Sequence, residues 1–281
     1  MSPATTNTRG LLLRLAAPLQ SWGETSQFNE RDTAPFPTRS GVIGLLAAAL
    51  GRKRGDDISD LATLSLTVRT DRAGVILRDL HTVGGGLPAA RTVTTAEGKK
   101  RSGATATLLS HRYYLADASF TAVITADPGH LDEWAEALRK PHWPPYLGRR
   151  SCPAEGPLLL GPVDDPLHHL VQLPIARRVC TGTKTVDIVF HGDQPLDRLG
   201  NHPQPGDHPQ PGDDDGRTPA GEVTDDPLTF HPRRRAYRAR PRYQRTLTLP
   251  ASRCKGLAAD YLTALGDYLD QHTIRPESVP A

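Results

Sequence analysis

The run from Pro35 to Arg52 constrains the fold more than any other part of this chain. Pro35-Phe36-Pro37 makes a rigid turn, Thr38-Arg39-Ser40-Gly41 follows as a polar cap, and Val42 to Leu50 is an apolar, small-residue segment closed by Gly51. The pattern predicts a helix over about 40–50, with Thr38 and Ser40 capping its orphan N–H groups and Gly51 as a left-handed end. It also has the form of an anion site. Arg39 stands where the positive end of the helix dipole favours a phosphate, and Gly41 leaves room for a ligand backbone. The plainer alternative is an ordinary capped core helix carrying a surface arginine.

Composition limits the function classes. At 281 residues the chain is long enough for a real core and amounts to one large domain or a domain with an appendage. Its formal charge of +3 is too small to argue nucleic-acid binding from the total. Distribution matters more: acids gather at Asp207, Asp213, Asp214, Asp215, Glu222, Asp225 and Asp226, and Arg233, Arg234, Arg235, Arg238, Arg240, Arg242 and Arg245 follow almost at once. With Tyr237 and Tyr243 interleaved, that basic stretch is either a strand laid along a nucleic acid or one whose arginines pair with the acidic loop before it. Cys152, Cys180 and Cys254 show no metal or redox spacing. They predict a reducing compartment, the cytoplasm. No segment has the form of a secretory signal or the roughly 20 apolar residues of a membrane span.

Periodicity predicts a βαββαβ order. Strands are expected over Arg9–Ala17, Leu64–Thr70, Gly74–His81 and, as one long strand, Tyr113–Thr125; a short helix is expected near 57–64. A helix over His130–Lys140 places Leu131, Trp134, Ala135 and Leu138 on one face and stops at Pro141. The fold class expected is α+β, a ferredoxin-like (RRM-like) domain with a smaller β-rich C-terminal part ending in a helix. Between Val83 and His111 lies a polar, Gly-containing insertion with Arg91, Lys99, Lys100 and Arg101, too long for a plain hairpin loop. The hexapeptide His202-Pro203-Gln204-Pro205-Gly206-Asp207 repeats as His208 to Asp213, a tract that cannot build a core. Its two histidines are read as solvated rather than metal-bound. Leu257–Leu269 predicts an amphipathic helix with Leu257, Tyr261, Leu262, Leu265 and Leu269 on one side.

Enzyme motifs are few. The sequence has no Walker loop, nucleophile elbow or zinc spacing, and Gly84-Gly85-Gly86 lacks the spacing of a dinucleotide site. Neither a cofactor nor a metal is predicted. A metal-independent ribonuclease needs a base, an acid and a cation, and His111, Tyr113, Tyr114 and Lys99 or Lys100 could supply them. The same His111 and Tyr114 are equally explained as packing or stacking groups.

Four further blocks narrow the choice: Leu11 to Gly23 (LLLRLAAPLQSWG), Arg78 to Val83 (RDLHTV), Tyr114 to Phe120 (YLADASF) and Pro144 to Pro153 (PPYLGRRSCP). With FPTRSG, in this order, they resemble the CasD family of subtype I-E CRISPR systems. The resemblance covers about residues 9–175 and thins toward Leu247–Pro250. It implies a non-catalytic, cytoplasmic subunit of a Cascade complex that holds the 5′ handle of the CRISPR RNA. Implied partners are that RNA, the backbone subunit and the large subunit, with target DNA met only through the complex and no membrane. Cleavage, as in subtype I-C relatives that use a Tyr, Lys and His set, is the alternative.

The expected organisation is then an RNA-binding domain over 1–175 with a β-hairpin thumb at about 84–110, a β-rich part over 176–250 with a Pro/Gly/Asp loop at about 194–226, and a helical extension over 251–281. Thr38, Arg39 and Ser40 would hold handle phosphates, and Gln20 and Trp22 would offer an amide and a stacking face. Tyr146 would stack on a base, Arg149 and Arg150 would bind phosphates, and Gly148 would let the RNA backbone come close. Lys99, Lys100, Arg101, His111 and Arg112 would line the thumb.

Overall fold

The computed structural model describes residues 8–24, 29–85, 88–92, 94, 98–101, 106–200 and 215–274. The first half contains β1 (Arg9–Ala16), β2 (Leu19–Gln20), β3 (Glu30–Arg31), α1 (Arg39–Ala49), β4 (Ser65–Arg72), β5 (Val75–Val83), β6 (Leu108–Ala116), β7 (Ser119–Thr125) and α2 (Pro128–Arg139). After these come β8 (Leu159–Asp164), α3 (Pro166–Gln172), β9 (Thr185–Gly192), β10 (Gly221–Thr229), β11 (Ala236–Pro250) and α4 (Ala258–Gln271). Seven strands form one sheet in the order β10-β11-β9-β4-β7-β1-β8, with every neighbouring pair antiparallel. The strands after residue 176 extend this sheet beyond β4.

The sheet is buried on both faces, which is why β1 reads as a continuous apolar run. Leu11, Leu13 and Leu15 pack with Val42, Ile43 and Leu46 of α1 and with Leu131, Trp134 and Leu138 of α2. Leu12 points the other way, into a second core with Leu170 of α3 and Tyr261 and Leu265 of α4. The expected apolar face of α2 is thus the buried one. On α4, Leu262 is exposed while Tyr261 and Leu265 are covered. The helix expected near 57–64 shrinks to a 3-10 turn at Leu61–Thr63.

The long strand expected over Tyr113–Thr125 is two strands in two sheets. Asp117 breaks it at φ +58°, a conformation that aspartate tolerates better than most residues. Arg72 fixes the corner, donating from Nη2 to Asp117 Oδ1 at 2.7 Å and from Nε to the Asp117 carbonyl. After the corner, β7 enters the main sheet. Before it, β6 belongs to a small sheet with β2, β3 and β5. β5 and β6 pair without interruption from Val75↔Ala116 to Val83↔Leu108, a hairpin whose end carries the segment holding Lys99, Lys100 and Arg101. Val75, Ile76, Leu77, Leu80 and Val83 are exposed along β5. The HPQPGD repeat, with His202 and His208, lies outside the described residues. Among those described, no helix is long and apolar enough to cross a membrane, and no group of three or more His, Cys, Asp or Glu is placed to hold a metal.

His191, on β9, stacks on Phe36 with centroids 4.3 Å apart. Burial, with help from the Arg242 charge, lowers its pKa from 6.5 to about 4. The folded state therefore keeps this ring neutral where the unfolded chain takes up a proton, so its contribution is intact above about pH 6.5 and is lost as pH falls toward 4. The loss amounts to on the order of 3 kcal/mol at the acid end. Urea midpoints measured from pH 7.5 to pH 4 should fall across this window in the native chain and fall less in His191→Phe; parallel curves would rule the histidine out.

Candidate nucleic-acid interface

The N-terminus of α1 does hold an anion, and the anion belongs to the chain itself. Thr38 caps the helix, its Oγ1 accepting from the Gly41 N–H at 3.3 Å, with the Ser40 hydroxyl 3.4 Å from it. The Arg39 N–H donates to Oδ2 of Asp225 at 2.7 Å. Arg39 itself is buried: Nε donates to Asp226 at 3.0 Å, Nη1 to Asp193 at 2.5 Å, and the guanidinium also meets the carbonyls of Leu64 and Ala62. All three of its nitrogens are occupied. The space over Gly41 is filled as well, because a Cβ there would lie 2.6 Å from the Trp22 ring.

Gln20 and Trp22 are likewise interior, both fully buried. Gln20 Nε2 donates to the carbonyls of Leu15 and Ala118 at 3.1 and 2.8 Å, and its Oε1 accepts from Trp22 Nε1 at 3.0 Å. This triad satisfies the polar ends of the LQSWG loop inside the core, so neither side chain is placed to meet a base. Gly148, at φ +86°, serves a close approach of the chain to itself. A Cβ there would sit 1.6 Å from the Ser21 carbonyl oxygen.

What the loop does present is a group of arginines. Pinned by Gly148, Arg149 lays its guanidinium 4.6 Å over the Tyr114 ring and donates from Nη2 to the Arg31 carbonyl at 2.9 Å. Arg31 is the strand partner of Arg112 in the parallel pairing of β3 with β6. Three cationic residues thus meet at the β3-β6 seam. Arg149 Nη1 and Arg112 Nε are buried N–H groups with no hydrogen-bond partner among the described residues. The nearby Asp79, opposite Arg112 on β5, is taken by His81 at 2.5 Å. Arg150 is exposed beside this seam, and Tyr146 is half-buried and bridges to Pro153.

The thumb residues are placed on the β5-β6 hairpin and its end. His111 receives Arg78 Nε on Nδ1 at 3.2 Å, with Nη2 of the same arginine 3.0 Å from Nε2. Lys100 Nζ donates to the Thr92 carbonyl at 3.0 Å, Lys99 is exposed, and Arg101 is half-buried with an unpartnered Nε. Tyr114 is buried beneath Arg149, away from solvent. Arg31 and Arg78 were not legible as site residues: acids neighbour both in sequence, Glu30 and Asp32 for Arg31 and Asp79 for Arg78, and only the strand register brings them to the others.

The arginines of 233–245 divide. Arg238 pairs with Asp226 through Nε and Nη2 at 2.9 and 2.7 Å, and Arg240 with Asp225 through the same atoms at 2.6 and 3.0 Å. Arg242 lies 5.8 Å over the Phe36 ring, and Arg245 caps the carbonyls of Leu196, Asp197 and Leu199. These four are taken up by the fold. Arg233, Arg234 and Arg235 remain exposed at the β10-β11 turn.

Comparison with known proteins places the chain in a family. The family model described as CRISPR-associated protein (Cas_Cas5) matches residues 10–243. The chain is 43% identical over 166 residues to the CRISPR system Cascade subunit CasD of Escherichia coli (strain K12), spanning 54% of this chain and 70% of that protein. Among solved structures it is similar to a chain of a CRISPR RNA-guided surveillance complex, with a TM-score of 0.77, 40% identity and coverage of 93% of this chain and 100% of that one. A second, described as a Cas protein crystal structure, gives a TM-score of 0.53 at 30% identity, covering 87% and 97%.

Burial pushes the Asp193 carboxyl above its ordinary range while Arg39 pulls it down. Removing the guanidinium strands the buried Asp193 carboxylate and leaves Asp226 with Arg238 alone, so Arg39→Ala should cost about 3–5 kcal/mol by urea unfolding. The cost should shrink in an Asp193→Asn background. A loss below about 1 kcal/mol would show that Arg39 does not hold this junction together.

Proposed function

This chain belongs to the CRISPR-associated Cas5 family, and on that premise we propose that it is the Cascade subunit that holds the 5′ handle of the CRISPR RNA without cutting it. The observation that carries the proposal is the β3-β6 seam, where Arg31, Arg112 and Arg149 converge and two buried guanidinium N–H groups lack an acceptor. Asp79 stands opposite Arg112 and Glu30 and Asp32 flank Arg31, yet both N–H groups stay unmatched among the described residues; a phosphate would supply acceptors for them, since arginine presents paired N–H donors. Arg150, His111 and Tyr146 flank the seam as further phosphate and base contacts. Gln20, Trp22, Thr38, Arg39 and Ser40 act at one remove, by fixing the loop and helix from which the contacts project.

The strand order β8-β1-β7-β4, with α1 and α2 as crossovers, supports reading residues up to about 175 as a ferredoxin-like domain. The β5-β6 hairpin is then the thumb, with Lys99, Lys100 and Arg101 near its end. Its exposed Val75, Ile76, Leu77 and Leu80 suit the adjoining backbone subunit. The remaining strands and α4 form the C-terminal part, and contact with the large subunit and a cytoplasmic setting follow from the same role. The likeness to the Escherichia coli protein, itself a Cascade subunit, supports the assembly.

Nuclease chemistry is disfavoured by placement. Tyr114 is covered by Arg149, and His111 is engaged by Arg78, which disfavours these two as an acid and base on RNA. Repeat RNA incubated with the protein in EDTA should stay intact; cleavage at the handle boundary that His111→Ala abolishes would reverse the assignment. Arg149→Ala with Arg150→Ala should weaken binding of the handle RNA and make its log-log salt slope shallower by roughly one to two units. Unchanged affinity and slope would return both arginines to the solvated surface.

A further inference from the structure

β10 runs beside α1 from end to end. Asp225 meets the first N–H of the helix, Phe230 faces Gly44, and the His231 ring lies 3.3 Å from a Cβ built at Gly55. The β10-β11 turn is thereby set against the loop that follows α1. The Arg149 cluster belongs to the opposite end, because Gly148 abuts Ser21 and Trp22 abuts Gly41. An 11-residue helix separates the two ends by about 16 Å.

At this far end two segments distant in sequence pool their charge. Lys53, Arg54, Arg233, Arg234 and Arg235 are all exposed, and none makes an ion pair among the described residues. Their neighbours behave differently: Arg52 is paired with Asp60, Arg238 with Asp226 and Arg240 with Asp225. The acids of the loop are occupied locally, Asp56 by the Lys53 N–H at 2.7 Å, Asp57 by the Ser59 hydroxyl at 2.6 Å and Asp60 by Arg52. Residues 52–60 and 233–235 together hold six basic side chains against three acidic ones.

We propose that this turn and loop form a second nucleic-acid surface, which takes the phosphate backbone of duplex DNA irrespective of sequence. An acidic protein partner fits less well, since the exposed apolar side chains of the hairpin, Leu228 and Tyr237, lie on its strands and leave the tip without an apolar centre. Single-stranded nucleic acid is gripped by stacking on free rings. Within the turn, His231 is spent on its own backbone: Nδ1 accepts the Arg233 N–H at 3.2 Å, and the ring packs on Gly55; Trp143, exposed at the C-terminal end of α1 with its backbone N–H on the Ala48 carbonyl, adds one ring where a single strand stacks successive bases on several. The turn is tight, with the Arg234 N–H on the His231 carbonyl at 3.1 Å. The site is independent of the handle reading, because neither its residues nor its ligand are shared with the β3-β6 seam.

The test measures the full-length protein against a short duplex DNA of arbitrary sequence and a single-stranded RNA of equal length lacking the repeat, each across a salt series. Arg233→Ala, Arg234→Ala and Arg235→Ala combined should lower duplex affinity by about 10-fold and make the log-log salt slope shallower by two to three units. Lys53→Ala with Arg54→Ala, on the other segment, should reduce it in the same sense by one to two units. Both variants change exposed side chains, and an unchanged thermal transition confirms that each is folded. Duplex affinity and slope unaltered in both variants would overturn the proposal, as would a loss for the single strand equal to or larger than that for the duplex.

Discussion

A single buried guanidinium holds the first turn of α1 to the far half of the chain. Arg39 reaches Asp193, just past β9, and Asp226 on β10, while its own N–H takes Asp225. Both of those β10 carboxylates continue outward to Arg238 and Arg240 on β11. Consecutive residues of a regular strand face opposite ways, yet Asp225 and Asp226 are both buried. The register of β10 against β11 shifts between Val223 and Asp226, and that irregularity turns both carboxylates inward. A buried ionic network of this kind adds little net stability over an apolar core of the same shape. It does make one docking of β10 and β11 against α1 much better than its competitors.

The other face of the sheet repeats the device. Arg69 is fully buried between β4 and α3, paired with Asp71 and donating to the carbonyls of Leu170, Leu173 and Pro174. Those carbonyls lie at the C-terminal end of α3, where intrahelical donors run out. Thr121 on β7 completes the arrangement by donating to Asp71 at 2.7 Å. Each apolar layer is therefore anchored at one point by an arginine whose partners come from other elements, and the antiparallel strands between them inherit a fixed position.

Much of the architecture was legible because its signals are local. The caps of α1, the 3.6-residue stripe of α2 and the doubly buried β1 depend on neighbours within a few turns. The division of β6 from β7 was not, since β-formers flank the short Ala116-Asp117-Ala118 run on both sides and the break rests on Asp117 and a contact from Arg72. The site was read less well than the fold for the same reason. FPTRSG has the form of an anion-holding helix start, which the sequence alone assigns to a phosphate; the group that meets its Arg39 N–H in the fold is Asp225, 186 residues away along the chain. Gln20 and Trp22 looked like recognition groups because their hydrogen-bond partners, Ala118 and each other, become visible only in three dimensions. Arg31 comes beside Arg149 and Arg112 through strand register alone.

Arginine density is thus a poor guide to where this protein meets nucleic acid, and carboxylate proximity is a better one. The stretch from Arg233 to Arg245 is the most basic in the sequence, yet Arg238 and Arg240 are neutralised by a neighbouring strand and Arg245 is spent on carbonyls. Desolvating an arginine already bonded in this way gains no new phosphate contact without losing the old one, so such residues favour the fold over the ligand. The cations left over collect at two places, the β3-β6 seam and the β10-β11 turn, on opposite ends of α1. A net charge of only +3 does not preclude a locally positive surface, because charge is unevenly matched: Asp225 and Asp226 are bonded to Arg39, Arg238 and Arg240, and the adjacent Arg233, Arg234 and Arg235 make no ion pair among the described residues.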